Sequence, residues 1–217
     1  MNAASGSITT VVVSAGTYHL PFSRLVEWVE PWSRRHPEVR MIVQHGPGIT
    51  LPGAENHRIL AHSELLRLIA LADVVVLQGG AGGVMDARSL GRIPIVVPRI
   101  PIDNEVVDNH QLIFTEKAAA LGLVHRATTP QQLEELLDAA LAGELRTRAA
   151  EGGQTEGIIS IAELLDELPP PLPAGERLLR LLRLRRGSPG QLRPEALEVE
   201  PASQGPEHPD VERSQHR

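Results

Sequence analysis

The run Asp73-Val-Val-Val-Leu-Gln78 leads straight into Gly79-Gly80-Ala81-Gly82-Gly83, and this junction restricts the fold more than any other feature of the chain. A half-buried strand alternates apolar and polar residues. A run without alternation needs cover on both faces, as in a parallel sheet with helices on either side. Glycines directly after such a strand let the backbone turn sharply toward a helix, here Val84–Leu90, which ends at Gly91.

The rest of the front part repeats this alternation. Ile8–Ala15 and Arg40–His45 are β-rich and short enough for strands, Ile93–Val97 is apolar and stopped by Pro98, and Leu123–Arg126 is a last strand. A short strand is expected near Arg58–Leu60. Between them lie helical patterns. Pro21–Arg35 carries Phe22, Leu25, Val26, Val29 and Trp32 on one stripe, with Pro31 expected to kink or end the helix near Glu30. Ser63–Leu71 is Leu-rich, and Asn109–Leu121 has Asn109 as N-cap and Gly122 after its end. Thr129-Pro130-Gln131-Gln132 opens another helix with a cap, a proline at its first position and a glutamine three residues after the cap. Ile158–Leu168 is a final amphipathic helix. Strand–helix alternation of this kind predicts an α/β fold, a doubly wound, mostly parallel Rossmann-like sheet with right-handed crossovers.

Composition then sets the limits. All five aromatics, Tyr18, Phe22, Trp28, Trp32 and Phe114, lie in the first 114 residues, while nine of the 18 prolines fall between Pro169 and Pro209. The expected organisation is a flexible start (1–7), one folded domain (8–168) and a disordered Pro/Arg-rich tail (169–217). A net charge of −6 argues against a dedicated nucleic-acid binder. The absence of cysteine excludes disulfides, zinc thiolates and cysteine nucleophiles. The start of the chain lacks the basic and apolar segments of a secretory signal, and its apolar runs fall well short of the ~20 residues that span a bilayer. A soluble, cytoplasmic protein is expected.

Three loops follow strands, where open α/β sheets bind ligands. The glycine turn suits a phosphate, because glycines admit close approach and the first-turn N–H groups of the next helix attract anions. Tight strand–helix packing is the plainer use of the same glycines. A dinucleotide fingerprint read from Gly80 would need glycine where Met85 stands, and no P-loop is present. The second loop is Gly16-Thr17-Tyr18-His19. Its histidine suits a general base or phosphate donor, or is simply exposed. The third, Arg99 to Gln111, is dense in polar groups, which suits sugar hydroxyls as well as it suits a solvated loop. No Asp-x-Asp occurs to hold a divalent metal, and His36, His57, His62 and His125 show no metal-ligand spacing. In the tail, Arg177–Arg186 alternates arginines and leucines and reads either as a basic helix on anionic lipid or as a solvated segment.

Gly79–Gly83 with Asp86, then Gly91-Arg92-Ile93-Pro94-Ile95-Val96-Val97-Pro98-Arg99, then Asp108-Asn109-His110-Gln111, together resemble the carboxyl-terminal domain of family 28 glycosyltransferases. The likeness is closest to its split, Alg13-like members, and the segment Ser14 to Leu25 is similar to the family's first strand and loop. The resemblance covers roughly Ile8 to Leu168. It implies one half of a GT-B fold that binds a UDP-sugar without an essential metal or cofactor. Gly16, Thr17, Gly79, Gly80, Ala81, Gly82 and Gly83 would face the diphosphate. Asp86 would match a ribose-binding glutamate; His110 and Gln111 would contact the donor sugar, with Arg99 and Glu105 as further sugar contacts and His19 as the catalytic candidate. The implied activity is inverting hexosyl transfer to a lipid-linked or exopolysaccharide acceptor. It would require a membrane-associated partner that binds the acceptor, with recruitment to the inner face of the membrane.

The chain departs from the family at several of these places. Gln78 stands for a histidine, Gly83 for Ser or Thr, and Asp86 for glutamate, while Tyr18 and Leu20 replace an aspartate and a second histidine. These departures motivate a second reading, a non-catalytic nucleotide-sugar-binding or regulatory module. A nucleotide-sugar epimerase needs two such domains in one chain, for which this one is too short.

Overall fold

The computed structural model describes residues 10–101, 104–150, 153–166 and 176. In chain order the elements are β1 (Thr10–Ser14), α1 (Ser23–Arg35), β2 (Arg40–Gln44), β3 (Glu55–His57), α2 (His62–Leu71) and β4 (Val74–Gln78). They continue with α3 (Ala81–Ser89), β5 (Ile95–Val97), α4 (His110–Ala120), β6 (His125–Arg126), α5 (Pro130–Leu141) and α6 (Gly153–Asp166). The strands form one sheet in the order β3-β2-β1-β4-β5-β6, and every pairing is parallel. The fold is therefore the doubly wound Rossmann-like sheet that the alternation predicts.

Alternate residues of each central strand point to opposite faces. Val11, Val13, Met41, Val43, Val74, Val76, Ile95 and Val97 form one core with Leu25, Val26, Val29 and Trp32 of α1 and Leu133 and Leu137 of α5. Val12, Ile42, Val75, Leu77 and Val96 form the other with side chains of α2, α3, α4 and α6, among them Ile69, Val84, Phe114 and Ile161. That division explains the unbroken valines of β4, which alternate between two buried layers.

Several local expectations shift. Pro31 lies inside α1, which runs unbroken to Arg35. Pro31 and Glu27, whose carbonyl loses its donor, are both on the exposed side, so water replaces the missing bond while the buried stripe holds the helix. The third strand is Glu55–His57, a few residues before its expected place at Arg58–Leu60. Asn56 secures it by bonding Leu51 N and O and Ala54 O. Asn109 makes no side-chain cap on α4; instead Asp108 Oδ1 accepts from His110 N at 3.2 Å. Thr129 does cap α5, accepting from Gln132 N, but the Gln132 side chain reaches back to Thr128 N and Oγ. α3 starts at Ala81, so Gly82 and Gly83 lie in its first turn. Residues 1–7, Ile8, the Arg/Leu stretch 177–186 and, apart from Glu176, the tail 169–217 lie outside the described residues.

Candidate functional site

The strand order reverses between β1 and β4, because β1 connects onward to β2 on one side while β4 connects to β5 on the other. At such a switch point the loops leaving two adjacent strands diverge and open a crevice at their carboxyl ends. Here those loops begin at Ala15-Gly16 and Gly79-Gly80, and the loop after β5 begins at Pro98-Arg99.

Gln78, the last residue of β4, occupies the gap between the two glycine turns. Gly16 has φ +77°, and a Cβ there would lie 2.9 Å from Gln78 Nε2. A Cβ on Gly80 would collide with the same nitrogen. A side chain at either position would push that amide out of its place, and at Gly16 the positive φ favours glycine as well. Its oxygen is taken twice: Arg99 Nε donates to Gln78 Oε1 at 3.2 Å and Gln111 Nε2 donates to it at 2.8 Å. Two donors on the oxygen fix the amide so that its NH2 faces the glycine turns. Gln111 in turn accepts from Arg99 N through Oε1 at 3.0 Å.

Arg99 is fully buried. Nη1 donates to the carbonyls of Leu20, Pro21 and Glu105, and Nη2 to that of Ala15. Its cation also sits over the Phe22 and Tyr18 rings. Burial pushes its pKa down to about 10, opposed first by the Glu105 carboxylate. Glu105 is buried too, held by Arg24 through two bonds of 2.7 Å and by Ile100 N at 2.9 Å. Arg99 and Glu105 therefore tie the loops after β1, β4 and β5 together, and in this structure neither presents an open group. A second tie is Ser14 Oγ, which accepts from Gly16 N and from Gln44 Nε2, while Gln44 Oε1 accepts from Leu60 N.

Beyond the glycines, α3 has Gly80 as its N-cap and no side-chain cap bond. A Cβ on Gly82 would meet nothing within 4 Å, and one on Gly83 would meet only Leu77 Cδ1 at 3.7 Å. The helix start is thus open to a ligand, with N–H groups and a positive dipole end to offer an anion. Asp86 follows Gly82 by four residues, one turn further on the same helical face. Its Oδ2 bonds His62 Nε2 at 2.9 Å. His110 Nδ1 lies 3.1 Å from Asp108 Oδ1 at the start of α4. Thr17 and His19 are exposed on the loop after β1, and the His19 ring packs against Tyr18 at 4.4 Å between centroids.

The structure thus brings Gly16, Gly79, Gly80 and Gln111 to one crevice around Gln78, with Ala81, Gly82 and Gly83 at the helix start beside it. Thr17, His19, Asp86 and His110 stand on the elements that surround it. From sequence, Arg24 is given no role, His62 is set aside as a histidine without metal-ligand spacing, and Gln78 is only a departure from a family pattern. A polar residue closing an apolar strand directly before glycines is the signal that singles out Gln78; Arg24 and His62 give none, because their partners are distant in the chain. Among the described residues, no group of three or more His, Asp or Glu side chains is gathered to hold a metal ion, and no helix is long and apolar enough to cross a membrane.

Residues 10–165 match the model of the glycosyltransferase family 28 C-terminal domain. A UDP-N-acetylglucosamine–N-acetylmuramyl-(pentapeptide) pyrophosphoryl-undecaprenol N-acetylglucosamine transferase of Rubrobacter xylanophilus is 42% identical over 103 residues, which are 43% of this chain and 29% of that protein. Among solved structures, the glycosyltransferase of kitacinnamycin shares the fold at a TM-score of 0.51 and 20% identity, over 86% of this chain and 45% of that one. The solution structure of ALG13 aligns at a TM-score of 0.49 and 18% identity, over 73% of this chain and 98% of that one.

Proposed function

Since the chain belongs to glycosyltransferase family 28 through its C-terminal domain, with the parallel sheet that makes one half of a GT-B fold, we propose that it is the donor-binding subunit of a UDP-sugar-dependent hexosyltransferase. The observation that carries this is the crevice at the switch point, where Gly16 and Gly80 close around the Gln78 amide beside an uncapped helix start. Backbone N–H groups, the helix dipole and the Gln78 NH2 meet a diphosphate there without a metal. Asp86, one turn along α3, accepts from ribose hydroxyls. His110 and Gln111, at the start of α4, stand toward the sugar, and Arg99 and Glu105 keep the loops in register.

In the proposed reaction an acceptor hydroxyl attacks the anomeric carbon from the face opposite the diphosphate. The bond from that carbon to the UDP oxygen breaks, UDP leaves with the electron pair, and a base takes the hydroxyl proton; His19 is the candidate on this chain. The same donors that bind the diphosphate stabilise the charge that grows on leaving UDP. The acceptor, lipid-linked or an exopolysaccharide, is proposed to sit on a membrane-associated partner that supplies the other wall of the cleft, at the inner face of the membrane. The Rubrobacter relative, named for transfer to an undecaprenol-linked acceptor, supports the acceptor class.

The test is nucleotide binding by thermal shift. UDP at about a hundred times its Kd should add roughly 2.7 kcal/mol, which raises Tm by roughly 5–10 °C. Gly82→Val and Asp86→Ala should remove the shift. If no uridine nucleotide shifts the wild-type chain, the donor-site reading fails. Transfer from a labelled UDP-sugar in membranes only when a partner is co-expressed supports the enzyme, and binding without transfer under those conditions supports a non-catalytic module.

A further inference from the structure

Asp86 does not stand alone on its helix face. His62, the first residue of α2, reaches across to it and bonds Oδ2 through Nε2 at 2.9 Å. The backbone that delivers His62 is anchored. Leu60 N donates to the buried Gln44 side chain, which itself bonds Ser14 at the end of β1. An imidazole carried on an anchored backbone thus meets a carboxylate on the same helix face as the open Gly82 position. Oδ2 is occupied by the imidazole, and among the described residues Oδ1 takes no hydrogen bond, so one acceptor stays available. An aspartate in water samples several rotamers, and one bond to a partner on an anchored backbone selects among them.

We propose that His62 is a positioning residue for nucleoside recognition: by holding Asp86 Oδ2 it presents Asp86 Oδ1 to a ribose hydroxyl of the donor. This rests on the reading of the crevice as a nucleotide-sugar site and adds a residue from α2 to it. The side chains are 67% and 31% exposed, and an exposed pair of this kind contributes little to folding. The effects of losing it therefore separate: stability stays constant while ribose recognition falls.

The experiment is calorimetric titration of the full chain with UDP and with 2′,3′-dideoxy-UDP, for wild type, His62→Ala, His62→Gln and Asp86→Ala, with Tm recorded for each. Wild type should prefer UDP over the dideoxy nucleotide. His62→Ala should lose about tenfold in UDP affinity, the scale of one hydrogen bond, with dideoxy binding and Tm unchanged. His62→Gln, whose amide N–H can still donate, should recover most of the loss. If His62→Ala binds UDP as wild type does, or weakens both nucleotides equally, the positioning role is overturned while the donor site stands. If Asp86→Ala keeps the full ribose preference, it is overturned as well. If wild type binds neither nucleotide, the donor-site reading falls and this inference falls with it.

Discussion

Replacing Arg99 by methionine probes what holds the crevice together. The wild-type guanidinium donates to the carbonyls of Ala15, Leu20, Pro21 and Glu105 and to the Gln78 side chain, at 2.8 to 3.2 Å. Methionine fills much of the same volume and supplies no donor. Four buried or half-buried carbonyls then lose this partner, at about 1–2 kcal/mol each, or roughly 6 kcal/mol together. Against this stands a gain, because the charge no longer has to be buried. Burial lowers the Arg99 pKa from its ordinary value to about 10, a difference of roughly 3 kcal/mol. The losses win by about 3 kcal/mol, because methionine removes the cation but leaves every oxygen that it served.

Urea unfolding followed through the fluorescence of Trp28 and Trp32, both on α1, reads this directly. A loss of about 3 kcal/mol corresponds to a Tm lower by roughly 6–12 °C. Nucleotide binding should weaken in the same variant, since Ala15–Gly16 and Gln78 lose their common tether. If Arg99→Met unfolds at the wild-type urea concentration, the guanidinium is not a net stabiliser. The desolvation of its charge would then match the bonds it makes, and the reasoning above would be refuted.

Two further outcomes follow from the geometry. In Gly79→Ala the new methyl would lie 2.6 Å from Thr115 Cγ2 and 3.0 Å from Pro98 Cα; the second is backbone, so β4 and the end of β5 must separate, and Tm should fall by roughly 4–8 °C for a cost of about 2 kcal/mol. An unchanged Tm would mean that the strands yield freely there. At the sheet edge, Glu55 has its pKa held below the ordinary carboxylate value by the Arg40 hydrogen bond first and by His57 second. Its contribution is therefore present above the ordinary carboxylate pKa and is lost as pH falls through the lowered one. Glu55→Gln should lower the neutral plateau slightly and leave stability in acid unchanged, so that the profile flattens; the drop is small because the pair is well exposed. An equal change at neutral pH and in acid would contradict that assignment.

The fold was legible where burial writes a pattern into the chain. β1, β2, β4 and β5 are covered on both faces, and their valines and isoleucines say so without help from distant residues. Glu55-Asn56-His57 carries no such pattern, because an edge strand is held by backbone bonds to β2 and by the Asn56 side chain rather than by apolar burial. Pro31 misled for the opposite reason: a local rule about helix interiors yields when the broken bond faces water and the opposite face is locked into the core.

The site was legible as a place but only partly as a set of roles. Polar residues gather after β5 both to touch ligands and to fasten loops, and composition does not separate these uses. What decides is whether a partner waits elsewhere in the chain. For Arg99 the partners are Ala15, Leu20 and Pro21, near the start of the domain, and for Glu105 the partner is Arg24; both residues are thereby turned inward. The same logic explains why glutamine works at position 78. Its oxygen faces two donors, Arg99 and Gln111, so its nitrogen must face the glycine turns. Glutamine at this position thus keeps an N–H at the crevice, and its direction depends on two other residues. A change at Arg99 or Gln111 therefore turns the Gln78 amide, and with it the N–H that the crevice presents.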